Sequence, residues 1–81
     1  MEYIITFHTH FDALQCDRFL KLAKIKGRLQ PVPRELSSSC GTCIKFNTDR
    51  SAADNIELAD LEFEKLFKID SSGYVLLIDN E

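Results

Sequence analysis

The segment from Pro31 to Cys43 constrains the fold of this chain more than any other stretch. It holds both prolines, three consecutive serines, one of the three glycines and two of the three cysteines. Proline donates no backbone hydrogen bond and is confined to turns and sheet edges, so residues 28–32, which run into this segment, predict an edge strand. The Ser/Cys/Gly part is predicted to be a loop, with regular strands and helices on either side.

The residues before this loop predict a strand followed by a helix. Residues 3–7 are mainly β-branched and aromatic, which indicates a central strand buried on both faces. Thr9 and Asp12 resemble a capping box for a helix over about residues 10–25, and Gly27 is placed to end it. Apolar spacing predicts that these side chains share the core face of the helix, with Cys16 as a packing residue: Ala13, Cys16, Phe19, Leu20 and Ala23.

The residues after the loop predict a further strand and a second helix. Residues 42–46 read as a strand, with Thr42 and Cys43 on opposite faces. Ser51 and Asp54 give a second capping signal, which predicts that a helix begins there.

The end of that second helix is ambiguous. Its apolar stripe can continue to Lys68, or the helix can stop near Asp60 and a strand can follow over residues 62–69. In the second case residues 70–73 form a turn, and residues 74–78 form a partner strand. The strand interpretation gives the order β-α-β-β-α-β with an extra C-terminal strand. This is an α+β, ferredoxin-like sandwich, in which two helices cover one face of an antiparallel sheet.

Length and composition predict the class of protein and its compartment. With 81 residues, 44% of them hydrophobic, residues 1–81 are expected to form a single domain. No apolar run approaches the roughly 20 residues of a membrane helix, and the N-terminus lacks the features of a secretory signal. We therefore expect a cytoplasmic protein with no membrane partner. Its three cysteines would be reduced, which favours catalytic, redox or metal roles over a structural disulfide.

The net charge of −3 is unevenly distributed. Residues 1–50 carry a charge of +3 and residues 51–81 a charge of −6, with the basic residues concentrated between Arg18 and Arg34. This basic stretch is either a docking face for an acidic partner or a solvated helix face. The solvated face is favoured, and nucleic acid is not expected as a partner because the protein as a whole is acidic.

Cys40 is the predicted reactive residue. In a ferredoxin-like sheet the first two strands run in the same direction, so the turn at residues 8–10 and the loop that contains Cys40 lie at the same end of the sheet. His8, His10 and the helix N-terminus at Thr9 would then stabilise the thiolate of Cys40.

The neighbours of Cys40 in the sequence fit this role. Arg34 would add positive charge, and Gly41 permits a close backbone approach or a positive φ just after the sulfur.

The Pro31-Val32-Pro33-Arg34 segment, followed by Ser39-Cys40-Gly41, resembles a motif of the selenium/sulfur carrier protein-like family of small bacterial domains. The similarity covers most of residues 3–69, including the first strand and the helix core positions. It also includes residues 59–69, which resemble the family's short helix and final strand and so favour the strand at residues 62–69.

This resemblance implies that Cys40 carries sulfur or selenium, as a persulfide or selenosulfide, between protein partners such as a cysteine desulfurase-like donor and an acceptor. Ser39, Cys40, Gly41 and Arg34 would form the site, and no cofactor is implied. The protein would be at most a sulfur/selenium carrier or a transferase-like accessory protein. Two features depart from the family: Cys43 replaces a usually apolar residue, and residues 70–81 extend past the usual end.

Other functions remain open at this point. Cys40 and Cys43 have the spacing of a redox pair, although such pairs usually begin a helix whereas Cys43 enters a strand. Together with His8 and His10 they also form a possible zinc ligand set.

A non-catalytic function is also open, as a dimeric interaction or ligand-sensing module. Its basis is a surplus of aromatic side chains, some of which would line a subunit interface. They are Phe46, Phe63, Phe67 and Tyr74.

Overall fold

The computed structural model describes residues 2–36, 38–48 and 61–80, which form an α+β structure with one helix and a five-stranded antiparallel sheet. The elements are β1 (Glu2–Thr6), α1 (His10–Leu22), β2 (Lys26–Pro31), β3 (Thr42–Asn47), β4 (Lys65–Asp70) and β5 (Gly73–Asp79). The second helix predicted from Ser51 lies outside the described residues, so the two-helix, ferredoxin-like arrangement stays a prediction.

The sheet order places the ends of two strands side by side. The order is β2-β3-β1-β4-β5, and every neighbouring pair is antiparallel. β1 is central and β2 is at an edge of the described sheet, as predicted. Because β1 and β2 are both antiparallel to β3, which lies between them, they run in the same direction. The turn after β1 and the loop after β2 therefore start at the same end of the sheet.

Residues 65–79 form a hairpin, which decides between the two interpretations of the C-terminal third. The predicted strand over residues 62–69 is present but begins three residues later, and the extra C-terminal strand is confirmed as β5. Asp70 fixes the turn by accepting hydrogen bonds from the backbone nitrogen and the hydroxyl of Ser72, at 2.8 and 2.6 Å. These bonds lower the pKa of Asp70. Gly73 follows with φ +112°, a conformation that favours glycine.

The start of α1 agrees with the sequence prediction. Thr9 has an extended conformation, and its hydroxyl accepts a hydrogen bond of 3.1 Å from the backbone nitrogen of Asp12. This bond satisfies one of the amides that a helix N-terminus leaves without a partner. Thr9 and Asp12 are only three positions apart in the sequence, so local chemistry determines where α1 begins.

The predicted end of α1 at Gly27 is wrong. The helix ends at Leu22, and Lys24 takes the left-handed conformation at φ 60°. Gly27 instead lies within β2, where an added Cβ would stand 3.0 Å from Cδ1 of Leu20 and 3.2 Å from Cγ2 of Ile44. Glycine is therefore used here for the close packing of α1 on the sheet rather than for a helix cap.

The core lies between α1 and one face of the sheet. It contains Tyr3, Ile5, Phe7, Ala13, Cys16, Leu20, Ile44, Phe46, Phe63 and Leu66. Cys16 is confirmed as a packing residue, whereas Ala23 is exposed because the helix has already ended. Phe46 and Phe63 are core residues, so they are not available to a subunit interface as the sequence interpretation allowed. None of the described residues belongs to a helix with both the length and the apolar character to span a membrane.

Candidate functional site

Cys40 lies in the loop that connects β2 to β3. Its half-buried thiol donates to the backbone oxygen of Thr42 at 3.4 Å and stands 4.0 Å from the hydroxyl oxygen of Ser38. Val32 and Gly41 close the base of the loop through a 3.1 Å backbone hydrogen bond. Gly41 has φ +73°, and open space surrounds the position of a Cβ, so the loop needs this glycine for its backbone conformation and not for packing.

The turn after β1 contacts this loop, as the strand directions require. The hydroxyl of Ser38 donates to the backbone oxygen of Phe7 at 2.9 Å, and Nδ1 of His10 lies 3.2 Å from Oγ1 of Thr42. His10 is the first residue of α1, so the N-terminus of the helix stands beside the base of the loop. Within the described residues, the two imidazoles contact Thr42 and Glu64 rather than the sulfur of Cys40.

Glu64 is a site residue that sequence reasoning missed. It lies just before β4, and only 1% of its surface is exposed. One carboxylate oxygen, Oε2, accepts a 2.8 Å hydrogen bond from the hydroxyl of Ser39 and lies 3.8 Å from Nε2 of His8. The other oxygen, Oε1, lies 3.5 Å from the hydroxyl of Thr6. Glu64 therefore joins the β1 end, the following turn and the Cys40 loop.

The other two cysteines are fully buried and chemically different from Cys40. Burial, with a smaller contribution from Asp17, raises the pKa of Cys16 to about 12. Burial and then the proximity of Cys40 raise the pKa of Cys43 to about 11, although a hydrogen bond with Gln30 opposes this. At neutral pH both are protonated thiols, which are poor nucleophiles.

One protein-family model matches most of the chain. The model of the family described as "Putative Se/S carrier protein-like" matches residues 2–68. The chain belongs to this family. No curated protein and no solved structure matches the chain. The family match includes both the Cys40 loop and Glu64, and it ends inside β4, so the β5 strand lies beyond it.

The Se/S carrier family name indicates a transfer function, and the remaining predicted site residues differ in how they relate to it. Thr9 caps α1 and has a local structural role. Arg34 is exposed in a turn closed by a 3.0 Å hydrogen bond from the nitrogen of Leu36 to the oxygen of Pro33. It forms no ion pair with any described residue, and its predicted role beside Cys40 stays a prediction.

The predicted zinc ligand set is not assembled. Among residues 2–36, 38–48 and 61–80, no three or more His, Cys, Asp or Glu side chains are grouped so that they could hold a metal ion. His10 is directed to Thr42 and His8 to Glu64, while the thiol of Cys43 contacts the backbone oxygen of Pro31 at 3.7 Å. The geometry of the site favours a single nucleophilic thiol.

Proposed function

We propose that this protein carries sulfur or selenium on Cys40, as a persulfide or selenosulfide, and passes it between protein partners. The observation that carries this proposal is the difference in exposure among the three cysteines, none of which forms a disulfide. Cys16 and Cys43 have no exposed surface, whereas Cys40 is half-buried at the end of the sheet. A carrier thiol must be reached by the donor and by the acceptor, and Cys40 meets that need.

The chemistry of loading requires no cofactor. The Cys40 thiol loses its proton to solvent, and the thiolate attacks the outer sulfur of a persulfide on the donor. A new bond forms between that sulfur and Sγ of Cys40, the sulfur–sulfur bond of the donor breaks, and the donor cysteine leaves as a thiolate. Delivery is the same exchange with the acceptor thiolate as the attacking group. Sulfur moves with its oxidation state conserved, so no external oxidant or reductant is needed.

The family membership supports protein partners, which we propose to be a cysteine desulfurase-like donor and a thiol-containing acceptor in the cytoplasm. We also propose that residues 1–81 form one ferredoxin-like domain, with the helix predicted from Ser51 as its second helix. The split order of the first three strands supports this arrangement.

The test is direct loading of the protein. After incubation with a cysteine desulfurase and cysteine, mass spectrometry of the wild-type protein should show a gain of about 32 Da on the peptide that contains Cys40. Cys40→Ser should show no gain, and Cys43→Ser should load like the wild type because its buried thiol is not the acceptor. Absence of the adduct on Cys40, or its appearance on Cys43 instead, would refute the proposal.

One observation favours a second function, that of an interaction module that associates with a second copy. β5 lies at an edge of the described sheet, and four consecutive apolar residues on it, Tyr74 to Leu77, are exposed. An edge strand of this kind can pair with another strand. Sedimentation at micromolar concentration should show a dimer that Leu76→Lys converts to a monomer. A wild-type protein that is already monomeric would count against this second function.

A further inference from the structure

Glu64 is a buried carboxylate whose polar partners lie in the Cys40 loop, at the end of β1 and in the turn after it. A carboxylate without water requires compensating partners, since an unpaired buried charge is strongly unfavourable. Glu64 has 1% of its surface exposed, and Nε2 of the half-exposed His8 lies 3.8 Å from its carboxylate. Its backbone is also fixed, because its nitrogen donates to the oxygen of Thr6 at 2.7 Å and its oxygen accepts from the nitrogen of Asn80 at 2.9 Å.

The shortest contact of this carboxylate is with the residue next to Cys40. The hydroxyl of Ser39 donates to Oε2 at 2.8 Å, although the two residues are 25 positions apart. Each of the residues 38–41 has a polar anchor outside the loop or at its base: Ser38 to Phe7, Ser39 to Glu64, Cys40 to the oxygen of Thr42, and Gly41 to Val32. The Ser39 anchor has a charged acceptor, and hydrogen bonds of this type are about twice as strong as neutral ones.

We propose that Glu64 is a positioning residue of the carrier site, which fixes the Cys40 loop through Ser39 and orients the imidazole of His8 with the same carboxylate oxygen. This inference rests on the proposed carrier function. Sulfur exchange needs the attacking thiolate in line with a sulfur–sulfur bond that belongs to another protein, so the loop must present Sγ in one orientation. A small alkylating reagent can approach from many directions and has no such requirement.

Comparing sulfur transfer with alkylation distinguishes a positioning role of Glu64 from a general loss of structure. In Glu64→Ala and in Ser39→Ala, sulfur transfer from a donor persulfide to Cys40 should slow about tenfold, because the charged hydrogen bond is lost. Alkylation of Cys40 by iodoacetamide should change less than about twofold. The double variant should be no slower than either single variant, because both substitutions remove the same contact.

Conservative variants and a matched control complete the test. Ser39→Thr retains the hydroxyl and should restore most of the transfer rate, whereas Glu64→Gln retains an acceptor without the charge and should be intermediate. Glu62→Ala removes an exposed acidic residue two positions away and should behave as wild type. If Glu64→Ala does not fold, Glu64→Gln and Ser39→Ala give the same comparison. Wild-type transfer rates in these variants, or additive losses in the double variant, would overturn the inference.

Hydrogen exchange of the backbone amides of residues 39–41 distinguishes this inference from the function on which it rests. Exchange should be faster in Glu64→Ala and Ser39→Ala than in the wild type, and unchanged in Glu62→Ala. A wild-type protein that never acquires sulfur would refute the carrier function, while the exchange rates would still show whether Glu64 holds the loop. Unchanged exchange in Glu64→Ala would refute the positioning role even if the wild type carries sulfur.

Discussion

The three thiols of this protein should differ widely in reactivity towards one small reagent. Burial raises the pKa of Cys43 from an ordinary value of 9.0 to about 11, and that of Cys16 to about 12. Each pKa unit reduces the thiolate fraction tenfold below the pKa, so Cys43 has about 100-fold less thiolate than an ordinary cysteine at neutral pH, and Cys16 about 1,000-fold less. Since both thiols are also fully buried, reagent access lowers their rates further. Cys40, whose thiol is only half-buried, should therefore react first, and Cys43 should react at least about 100-fold more slowly than it does in the unfolded chain.

Peptide mass spectrometry after timed reaction of the folded protein with iodoacetamide measures this ranking. The rate at Cys43 should rise about tenfold for each unit of pH up to about 11, because only its thiolate reacts. A denatured sample is the control, since unfolding exposes all three thiols and should make their rates similar. Equal labelling of Cys40 and Cys43 in the folded protein at neutral pH would refute the argument. That result would also support the dithiol function, which needs Cys43 as a reactive partner.

Three further predictions concern stability. In the unfolded chain Cys16 loses its proton near pH 9.0, but in the folded chain only near pH 12. The free energy of unfolding should therefore fall by about 1.4 kcal/mol per pH unit between these two values. Cys43 should add a decrease of the same sign up to about pH 11. Cys16→Ala should show a shallower fall in denaturant titrations, and an equal slope would contradict this cause. Gly27→Ala should lower the free energy of unfolding by about 1–3 kcal/mol, because its Cβ would crowd side chains of α1 and β3. The control Lys26→Ala, on the same strand, should change the free energy of unfolding by less than about 0.5 kcal/mol. Thr9→Ala should lower the free energy of unfolding by about 1 kcal/mol because the helix cap is lost, whereas Thr9→Ser keeps the hydroxyl and should have nearly the wild-type value. Equal thermal stability of the two variants would exclude the capping role.

Local signals account for the elements that could be predicted. The capping bond between Thr9 and Asp12 spans three residues, and the turn at Asp70 depends on Ser72 two positions away. The prolines of residues 31–33 exclude a central strand, and β2 does lie at an edge of the described sheet. In each case the interacting groups are close in the sequence, so the residue types themselves determine the local conformation.

Long-range contacts explain why the role of Gly27 was predicted wrongly and why Glu64 was missed. Gly27 has the features of a helix stop, but its role depends on Leu20 and Ile44, which only the packed sheet brings near it. Glu64 belongs to an acidic stretch that resembles a solvated surface, and nothing local distinguishes it from the exposed Glu62. Its partners are Ser39, 25 positions away, and Thr6, 58 positions away.

The first strand, the helix after it, the Cys40 loop and the family could all be predicted from the amino-acid sequence, because these depend on residue type and on neighbours within a few positions. Three features became visible only in the folded chain: the partial exposure of Cys40, the burial of Cys43, and the hydrogen bond from Ser39 to a buried carboxylate. All three depend on which strands pair and on which side chains the sheet excludes from water. Burial is a property of the assembled fold, and no single position in the chain encodes it.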